Sequence, residues 1–409
     1  MAKSEIIVGL DVGTTKICAV VGELTKNGVS LLGHGVAPCD GLHKGVVVNI
    51  EATVPAIEKA VEAAERSSGY EIRSVVVGIT GEHIRSLTGK GTVRIRRDQE
   101  ITRADVAQAQ EAAQQIDLPP GREIIHNIPR ASSVDGHHGI KNPVGMFGST
   151  LEVETHLVTA ESNPVQNIYK CVEQAGLTIT QVVLEPLATA EAELHTAEKE
   201  MGVALIDIGG GTSDLALFGG GSAFYSAVIP VGGKHVTNDL SVGLRVAFTE
   251  AERIKLEHGI ATEDGLDDLE AVAITPVGQP AGEEMRVPRR IIAEIIQPRM
   301  EELFELVEEE IRRAGGLELI PAGVVISGGG SRLPGTLDVA SQVLGVPVRL
   351  GAPLEPAAAT GALRTPEYST GVGLVLYAAR NPRGTHHADG LLDGLFGPIS
   401  RWFRRLFSR

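Results

Sequence analysis

Two stretches of the chain repeat one pattern of apolar and polar positions. Each has an apolar strand that ends in Asp, then one apolar residue, then Gly and Thr, then a second strand. The first spans residues 6–17 and reads IIVGLDVGTTKI, and the second spans residues 204–215 and reads ALIDIGGGTSDL. Small residues in a tight hairpin let backbone N–H groups surround phosphate oxygens, and an Asp at a strand end can hold a hydrated Mg²⁺. The repetition therefore predicts two related phosphate-binding hairpins, one in each half of the chain.

A third glycine-rich element lies at residues 323–332, where an apolar strand runs into Gly328, Gly329 and Gly330 before a predicted helix. Glycines there would let a helix N-terminus and bare backbone lie against a flat nucleotide. The two hairpins and this third element together resemble the actin-like ATPase superfamily, which includes actin, sugar kinases and the large heat-shock chaperones. We therefore expect a nucleotide between two duplicated halves.

Apolar periodicity predicts the remaining helices and strands. A helix at 51–68 carries apolar or small residues at one helical face, and a long helix at 289–314 carries an apolar stripe with Pro298 inside it as a potential break. Further helices are predicted at 103–116 with Thr102 as N-cap, at 164–175, from 185 onward, at 232–244, at 250–258 with Thr249 as N-cap, at 331–344 and at 356–363, and residues 370–379 close the fold. Strands are predicted at 30–37, 45–49, 75–80, 92–95, 123–128, 151–158, 179–184 and 224–230.

The character of the chain changes between residues 82 and 160, which carry a strand, a helix and further strands of their own. Such a segment predicts a small subdomain inserted into the first half. The alternative is a long decorated loop, but loops of this length rarely carry so much periodic structure.

Two polar features admit both a functional and a structural interpretation. Glu185 ends a strand where the two halves should meet, so its carboxylate could orient a water towards a γ-phosphate, or it could simply favour the start of a helix. Glu252, Arg253 and Lys255 form a polar cluster on a predicted helix. That cluster could reach a ribose or adenine, although a solvated helix face is the common alternative.

Composition narrows the classes of function. The chain has 409 residues, of which 43% are hydrophobic and 22% charged, as expected of a globular protein with more than one core. A formal net charge of -15 argues against general nucleic-acid binding, because an acidic surface repels phosphate backbones. The three cysteines are scattered and fit a reducing compartment. Neither a signal-peptide pattern nor an apolar run long enough to span a bilayer is present in the sequence.

The last residues concentrate the aromatic side chains. After a polar linker at 380–390, residues 391–409 contain the single Trp of the chain and three of its eight Phe. Helical spacing places Ile399, Trp402, Phe403, Leu406 and Phe407 on one face and Arg401, Arg404 and Arg405 on the other. This pattern predicts an amphipathic helix that lies in the headgroup plane of an anionic membrane. The alternatives are a helix docked on the core of the protein or in the groove of a partner.

The hairpins, the insertion, the linker and the terminal helix together resemble the FtsA family of bacterial cell-division proteins. The resemblance rests on GLDVGTTK at 9–16, Glu185-Pro186, IDIGGGTSD at 206–214, EAERIK at 250–255 and SGGGS at 327–331. It implies an α/β, actin-like ATPase fold with two duplicated domains flanking a nucleotide cleft. The expected parts are domain 1A at 1–81 and 161–199, inserted subdomain 1C at 82–160, domain 2A at 200–248 and 320–379, subdomain 2B at 249–319, the linker at 380–390 and the amphipathic helix at 391–409.

The resemblance also implies a function. Members bind ATP and Mg²⁺, hydrolyse ATP weakly at most, and polymerise as actin-like filaments on the cytoplasmic face of the plasma membrane at the division site. They tether filaments of the tubulin-like protein FtsZ through its C-terminal peptide, here expected at Arg290 and Arg299, and recruit later division proteins. In this sequence Asp11 and Asp207 would hold Mg²⁺ through water, Gly13, Thr14, Thr15, Lys16, Gly209, Gly210, Gly211 and Thr212 would contact phosphates, and Glu252, Arg253, Lys255, Gly328, Gly329 and Gly330 would line the nucleoside site.

Two other functions remain open from the sequence. One is a small-molecule kinase of the same superfamily, which needs a substrate pocket and a further catalytic Asp and gives the terminal helix no role. The other is a different membrane-bound actin-like scaffold, either related to the rod-shape protein MreB or acting as a pilus-assembly adaptor.

Overall fold

The computed structural model describes residues 5–96, 99–264, 266–267, 270–278, 284–354 and 361–382. The chain opens with β1 (Glu5–Val12), β2 (Lys16–Thr25), β3 (Gly28–Pro38), β4 (Leu42–His43), β5 (Val46–Val47), α1 (Ile50–Ser68) and β6 (Ser74–Ile79). The inserted segment follows with β7 (Ile84–Arg94), α2 (Arg103–Ala112), β8 (Arg122–Val134), β9 (His137–Ile140) and β10 (Thr150–Glu161). The first half then resumes with α3 (Ser162–Gln174), β11 (Thr178–Leu184), α4 (Glu185–Glu193) and α5 (Thr196–Met201).

The second half has its own series of elements. They are β12 (Val203–Ile208), β13 (Ser213–Gly219), β14 (Ser222–Ile229), α6 (Gly233–Leu244), α7 (Phe248–His258), β15 (Ala271–Ile274), β16 (Met285–Pro288), α8 (Arg289–Ala314), β17 (Val324–Ser327), α9 (Thr336–Leu344), β18 (Val348–Leu350) and α10 (Ser369–Arg380). No helix in the part of the chain that the structure describes is long and apolar enough to cross a bilayer.

The two halves are built on matching five-stranded sheets. The first has the order β11-β6-β1-β2-β3, and the second, taken from its other edge, has the order β18-β17-β12-β13-β14. In each sheet the central strand forms an antiparallel hairpin with the next strand and pairs in parallel with the strand on its other side. The duplication expected from the two repeated stretches is therefore confirmed.

The inserted segment folds as a separate four-stranded antiparallel sheet in the order β7-β10-β8-β9, with α2 packed on β7 and β10. Thr102 caps α2 as predicted, because its hydroxyl accepts from the backbone of Asp105 while the Asp105 carboxylate accepts from the backbone of Thr102. This sheet also packs on β14 of the second half, where the Ser86 hydroxyl donates to the carbonyl of Ser226 at 2.6 Å. The predicted subdomain is thus a real structural unit that contacts both halves.

Helix α8 runs through Pro298 without a break. Its buried side chains follow the predicted stripe and pack with α6, α7 and α9 in the hydrophobic core of the second half. Those in this core are Ile292, Ile296, Met300, Leu303, Phe304, Val307 and Ile311. A proline inside a helix removes one backbone hydrogen bond, so tertiary packing of this stripe keeps α8 continuous.

Several predicted boundaries are wrong in detail. The strand predicted at 92–95 is the end of the eleven-residue β7. Helix α7 starts at Phe248 and Ala247 occupies its N-cap without a side-chain bond, so Thr249 is not the cap. The helix predicted from 331 begins at Thr336, because a 3₁₀ turn and Gly335, at φ 80°, intervene. Residues 45–49 form only the short strand β5, and most of the helix predicted at 356–363 lies outside the described residues.

Helices α4 and α10 cross between the two halves. Although α10 follows the second sheet in the sequence, it packs on β1 and β2 of the first, and α4, which follows the first sheet, also contacts β12 and β13 of the second. The sequence-based boundaries assigned residues 320–379 to the second domain, whereas the structure places α10 on the first. Chain order alone cannot indicate such an exchange.

The crossing depends on glycine. A Cβ atom added to Gly373 of α10 would lie 1.9 Å from the carbonyl oxygen of Ala188 in α4, and one added to Gly9 of β1 would lie 2.6 Å from the carbonyl oxygen of Gly371. Both distances are far below contact, so the backbones approach more closely than any side chain would allow.

We predict that Gly373→Ala destabilises the protein by about 1–3 kcal/mol, because the added methyl group must push α4 and α10 apart. Helix propensity alone would predict the opposite sign, since Ala is about 1 kcal/mol better than Gly inside a helix. Urea denaturation of the two proteins measures the difference. Gly361→Ala, on a 3₁₀ turn where an added Cβ meets nothing within 4 Å, is the matched control and should leave the midpoint unchanged. Equal or greater stability of Gly373→Ala would show that the crossing is not tightly packed.

Candidate functional site

A cavity of about 710 Å³ lies between the two halves. Its volume is in the range of sites that bind nucleotide-sized ligands. The lining includes both hairpins, the glycine turn after β17, the start of α6 and parts of α7 and α8. Of the residues singled out from the sequence, those that line it are Asp11, Gly13, Thr14, Thr15, Lys16, Glu185, Asp207, Gly209, Gly210, Gly211, Thr212, Glu252, Lys255, Arg299, Gly328, Gly329 and Gly330.

The two hairpins have the same turn and face each other. Gly13 N donates to the carbonyl of Lys16 at 3.0 Å, and Gly209 N donates to the carbonyl of Thr212 at 2.9 Å. A Cβ added to Gly210 would lie 2.4 Å from Cγ2 of Thr15, so the turns already touch across the cleft. The structure therefore holds the two halves in a closed arrangement.

Helix α6 starts against the second hairpin. Its first backbone amides, at Gly233 and Lys234, donate to the carbonyls of Gly209 and Gly210 at 2.9 and 2.8 Å. Gly232, Gly233 and Lys234 line the cavity, which places the positive end of the α6 dipole at its polar side. A helix N-terminus beside a glycine-rich turn is a favourable environment for phosphate oxygens.

Four carboxyl groups are buried at the base of the cleft, on Asp11, Glu185, Asp207 and Asp214. Burial is the main cause that raises the pKa of each one, and for Glu185 the neighbouring Asp11, Asp214 and Asp207 raise it further. The ammonium group of Lys16 acts in the opposite direction on the pKa of Asp11 and of Asp207. A cluster of this kind favours a bound cation, because a positive charge offsets the repulsion between neighbouring carboxylates.

The hydrogen bonds within the chain do not use every carboxyl oxygen of this cluster, so some oxygens can accept hydrogen bonds from water. Among the described residues, Glu185 Oε1 is buried without a hydrogen-bond partner, although the residue lines the cavity. The described chain contains no group of three His, Cys, Asp or Glu side chains close enough to hold one metal ion directly. Buried, separated oxygen acceptors of this kind fit a Mg²⁺ that keeps its own water ligands.

The other side of the cavity is apolar. Phe248 and Leu256 of α7 and Met300 and Leu303 of α8 line it, and the glycine turn after β17 lines the same cavity. Leu256 is 73% exposed, so its side chain is largely uncovered by the protein, and a Cβ added to Gly329 would meet nothing within 4 Å. An apolar wall opposite bare backbone fits a flat aromatic ring such as a nucleobase.

The polar cluster on α7 divides between two faces. Lys255 Nζ donates to Glu252 Oε2 at 2.8 Å and to the carbonyl of Gly233 at 3.2 Å, and both side chains line the cavity. Arg253 instead pairs with Glu250 and Glu257 and is absent from the lining. Residues three apart share a helix face, whereas the next residue along is turned by about 100°. The expectation that Arg253 lines the nucleoside site is thus not met in this arrangement.

The two arginines expected to bind a partner peptide lie on opposite faces of α8. Arg290 lies at the start of α8 and pairs with Glu263 at 3.1 Å and with Glu294 at 3.6 Å. Arg299 pairs with Asp239 at 2.6 Å and with Glu302, and it lines the cavity. Nine residues of α-helix turn through about 900°, so the two side chains leave α8 on opposite faces. One surface would not use both.

The predicted membrane helix lies outside the described residues. Its singled-out residues are Ile399, Arg401, Trp402, Phe403, Arg404, Arg405, Leu406 and Phe407. Their assignment stays a prediction from the sequence.

Sequence reasoning missed several residues of the site. Asp214 stands directly opposite Asp207 in the register of β12 and β13, so the predicted hairpin was itself the signal that could have located it. Thr80, directly after β6, donates to Asp214 across the cleft, and Thr189 and Thr370 both donate to Asp207. No local pattern marks these threonines, because their partners are distant in the sequence.

Glu193, at the end of α4, is another buried acid that the sequence did not indicate. Its carboxyl group is fully shielded from solvent, and the Ser327 hydroxyl donates to Oε1 at 2.6 Å. Burial raises the pKa of Glu193 to about 8. The residue therefore joins α4 to β17, just before the glycine turn, as a protonated acid at neutral pH.

We predict that Glu193→Gln removes part of the pH dependence of stability. The unfolded chain loses this proton near pH 4.5 while the folded protein keeps it to about pH 8, so the free energy of unfolding falls as pH rises between these values. The slope is at most about 1.4 kcal/mol per pH unit. Gln resembles the protonated acid in shape but does not titrate. The free energy of unfolding of the variant, measured by urea denaturation, should therefore increase relative to that of the natural protein between pH 5.5 and pH 7.5. The exposed Glu58→Gln serves as control, and a pH-independent difference for Glu193→Gln would contradict the prediction.

Comparison with solved structures defines the class of protein. The fold is similar to that in the PilM-PilN type IV pilus biogenesis complex, with a TM-score of 0.67 and 18% identity over 91% of this chain and 98% of that chain. It is also similar to MreB5 of Spiroplasma citri bound to ADP, with a TM-score of 0.56 and 15% identity over 92% of this chain and 97% of that chain. These similarities, together with the two matching halves around a cleft in this chain, identify the actin-like ATPase fold.

Sequence comparison identifies the family within that class. A family model described as "Cell division protein FtsA" matches residues 204–373, and one described as "SHS2 domain inserted in FTSA" matches residues 81–159. Cell division protein FtsA of Pseudomonas aeruginosa is 43% identical over 96% of this chain and 93% of its own length. The FtsA proteins of Neisseria meningitidis and Escherichia coli K12 are 38% and 34% identical over 97% and 99% of this chain, and 98% and 97% of their own lengths. The chain belongs to the FtsA family of cell division proteins, which confirms the resemblance drawn from its sequence.

Proposed function

We propose that this protein binds ATP with Mg²⁺ in the cleft and uses the nucleotide to hold its two halves in a state that polymerises. The observation that supports this most strongly is the meeting of three features in one cavity: two glycine hairpins, a cluster of buried carboxyl groups and an apolar wall facing bare backbone. The hairpins suit phosphates, the carboxyl groups suit a hydrated cation, and the apolar wall suits a nucleobase. MreB5, which shares the fold, has been solved with ADP and with AMPPNP.

Each part of the cleft has a proposed role. The backbone amides of the two hairpins that have no partner within the turn bind the phosphates, and the positive end of the α6 dipole stabilises their charge. Lys255 and Glu252 reach the ribose. Bound Mg²⁺ would offset the charge of the phosphates and of the carboxylates. Asp11 and Asp207 would accept hydrogen bonds from its waters, and Glu185 would orient a water for slow hydrolysis. Because the nucleotide contacts both halves at once, it stabilises the closed state in proportion to its differential affinity for that state.

The terminal segment supplies the proposed link to the membrane. The chain as a whole carries a formal net charge of -15, so the body of the protein has no general attraction for anionic lipid. Residues 391–409 combine large apolar side chains with arginines, and linked copies in a filament would bind more firmly than one copy. We propose that the filament lies on the cytoplasmic face of the plasma membrane at the division site, tethers FtsZ through its C-terminal peptide at the surface around Arg290, and recruits later division proteins.

We predict that Gly329→Val weakens ATP binding by at least about tenfold without unfolding the protein. Gly329 has a backbone conformation open to other residues, and an added Cβ meets no protein atom within 4 Å, so the larger side chain fills only the space proposed for the nucleoside. Titration of a fluorescent ATP analogue in the presence of Mg²⁺ measures the affinity.

Gly361→Val is the matched control for this experiment, because Gly361 also meets nothing within 4 Å and lies outside the cavity lining. Its affinity should equal that of the natural protein, and the thermal midpoints of both variants without nucleotide should stay within a few degrees of it. Unchanged affinity in Gly329→Val would place the nucleoside elsewhere.

We predict that a chain ending at Arg383 loses binding to liposomes containing anionic lipid, because it lacks the arginines and large apolar residues of 391–409. Co-sedimentation with and without FtsZ measures both steps, and FtsZ should pellet with the intact chain alone. Arg290→Glu in the intact chain should keep lipid binding and lose FtsZ, which separates the two activities. Equal sedimentation of the shortened and intact chains would refute the role of the segment as an anchor.

A further inference from the structure

The side chain of Asp207 is fixed by two threonine hydroxyls. Its Oδ2 atom accepts a hydrogen bond from Thr189 Oγ1 at 2.9 Å and from Thr370 Oγ1 at 3.1 Å, and the two hydroxyl oxygens are themselves 3.1 Å apart. Thr189 is fully buried and Thr370 nearly so. Two donors on one carboxylate oxygen fix the plane of the carboxylate, a torsion that is otherwise broad.

The two threonines come from the crossing helices. Thr189 follows Ala188 in α4, and Thr370 stands three residues before Gly373 in α10. Ala188 and Gly373 are the residues at the closest approach of these helices. The orientation of the Asp207 carboxylate therefore depends on how α4 and α10 sit against each other.

The equivalent acid of the first hairpin lacks this arrangement. Asp11 occupies in β1 the position that Asp207 occupies in β12, and Lys16 is its main charged influence. Within the described part of the chain, no side-chain hydroxyl donates to Asp11 among the hydrogen bonds of the structure, whereas Asp207 has two such donors. The threonine pair is thus specific to one of the two duplicated sites.

We propose that Thr189 and Thr370 are positioning residues for magnesium: they hold the Asp207 carboxylate so that its other oxygen, Oδ1, is presented to the waters of Mg²⁺ bound with the nucleotide. This inference rests on the proposed function, because it assumes that the cleft binds a magnesium nucleotide. It goes further in assigning two threonines that act through Asp207, of which Thr370 lines the cavity and Thr189 does not. Removal of either hydroxyl lets the carboxylate turn away from the metal waters, while the contacts of the hairpins and of the apolar wall with the nucleotide persist.

The test compares the affinity for a fluorescent ATP analogue in Mg²⁺ with that in EDTA. The ratio of the two dissociation constants measures what magnesium contributes to binding. Thr189→Val and Thr370→Val remove one hydroxyl each at nearly constant volume. A hydrogen bond to a charged group is worth about tenfold in an equilibrium constant, so each variant should lower this ratio by about tenfold and leave the affinity in EDTA unchanged.

Two control variants separate positioning from general structure. Thr189→Ser keeps the hydroxyl and should restore most of the magnesium effect. Thr336→Val removes the hydroxyl of another fully buried threonine, one whose Oγ1 has no hydrogen-bond partner among the described residues and which is outside the cavity lining. It should bind both forms of the nucleotide as the natural protein does.

Each outcome decides the inference. A lower ratio with unchanged EDTA affinity, rescued by Thr189→Ser, supports it. An unchanged ratio in both valine variants overturns it, and so does an equal loss with Mg²⁺ and with EDTA, which would mean that the hydroxyls merely support the cleft. If the natural protein itself binds no nucleotide, or gains nothing from Mg²⁺, the proposed function fails first, and that result is visible without any variant.

Discussion

Four carboxyl groups packed at the base of one cleft impose the constraint on which this structure depends. Asp11, Glu185, Asp207 and Asp214 are all buried, and burial raises the pKa of each. Ionised together they would repel each other strongly, because neighbouring charges in a poorly hydrated site are weakly screened. Protons, hydroxyl donors and Lys16 relieve this repulsion within the chain, and a hydrated cation would relieve it further. The charge state of the cleft is therefore sensitive to a bound cation.

The two halves communicate with this cluster through the crossing helices. Asp11 comes from the first sheet, Asp207 and Asp214 come from the second, and Glu185 comes from α4. The threonines that donate to Asp207 come from α4 and α10, whose backbones meet at Ala188 and Gly373. The inserted subdomain adds a second connection, since it belongs to the first half in sequence and packs on β14 of the second. A change in the angle between the halves would thus move the buried carboxyl groups and the contact surface of the inserted subdomain together, which gives a physical route from the cleft to the outer surface of the protein.

Whether a feature of the fold or of the site could be predicted from the sequence depends on how far apart in the sequence its contacting residues are. The hairpins and α8 were predictable because their signals are local: glycines at fixed steps after an apolar strand, and an apolar stripe at helical spacing. Asp214 follows from the register of a predicted hairpin. The bonds from Thr189 and Thr370 to Asp207 join residues 18 and 163 positions apart, and no periodicity marks them. The exchange of α10 onto the first sheet is likewise a property of three-dimensional packing. The local helices and hairpins were therefore predictable, whereas the contacts that join the two halves were not.

In the proposed function, one ligand engages both hairpins and the glycine turn at once. Hydrogen–deuterium exchange of the intact protein, with and without ATP and Mg²⁺, tests it directly, because backbone amides that bind phosphate or pack on a base exchange more slowly. We expect simultaneous protection of peptides that cover 9–17, 207–215 and 326–333, with protection of α4 and α10 as the halves close. Protection of one hairpin alone, or of none of the three segments, would contradict it.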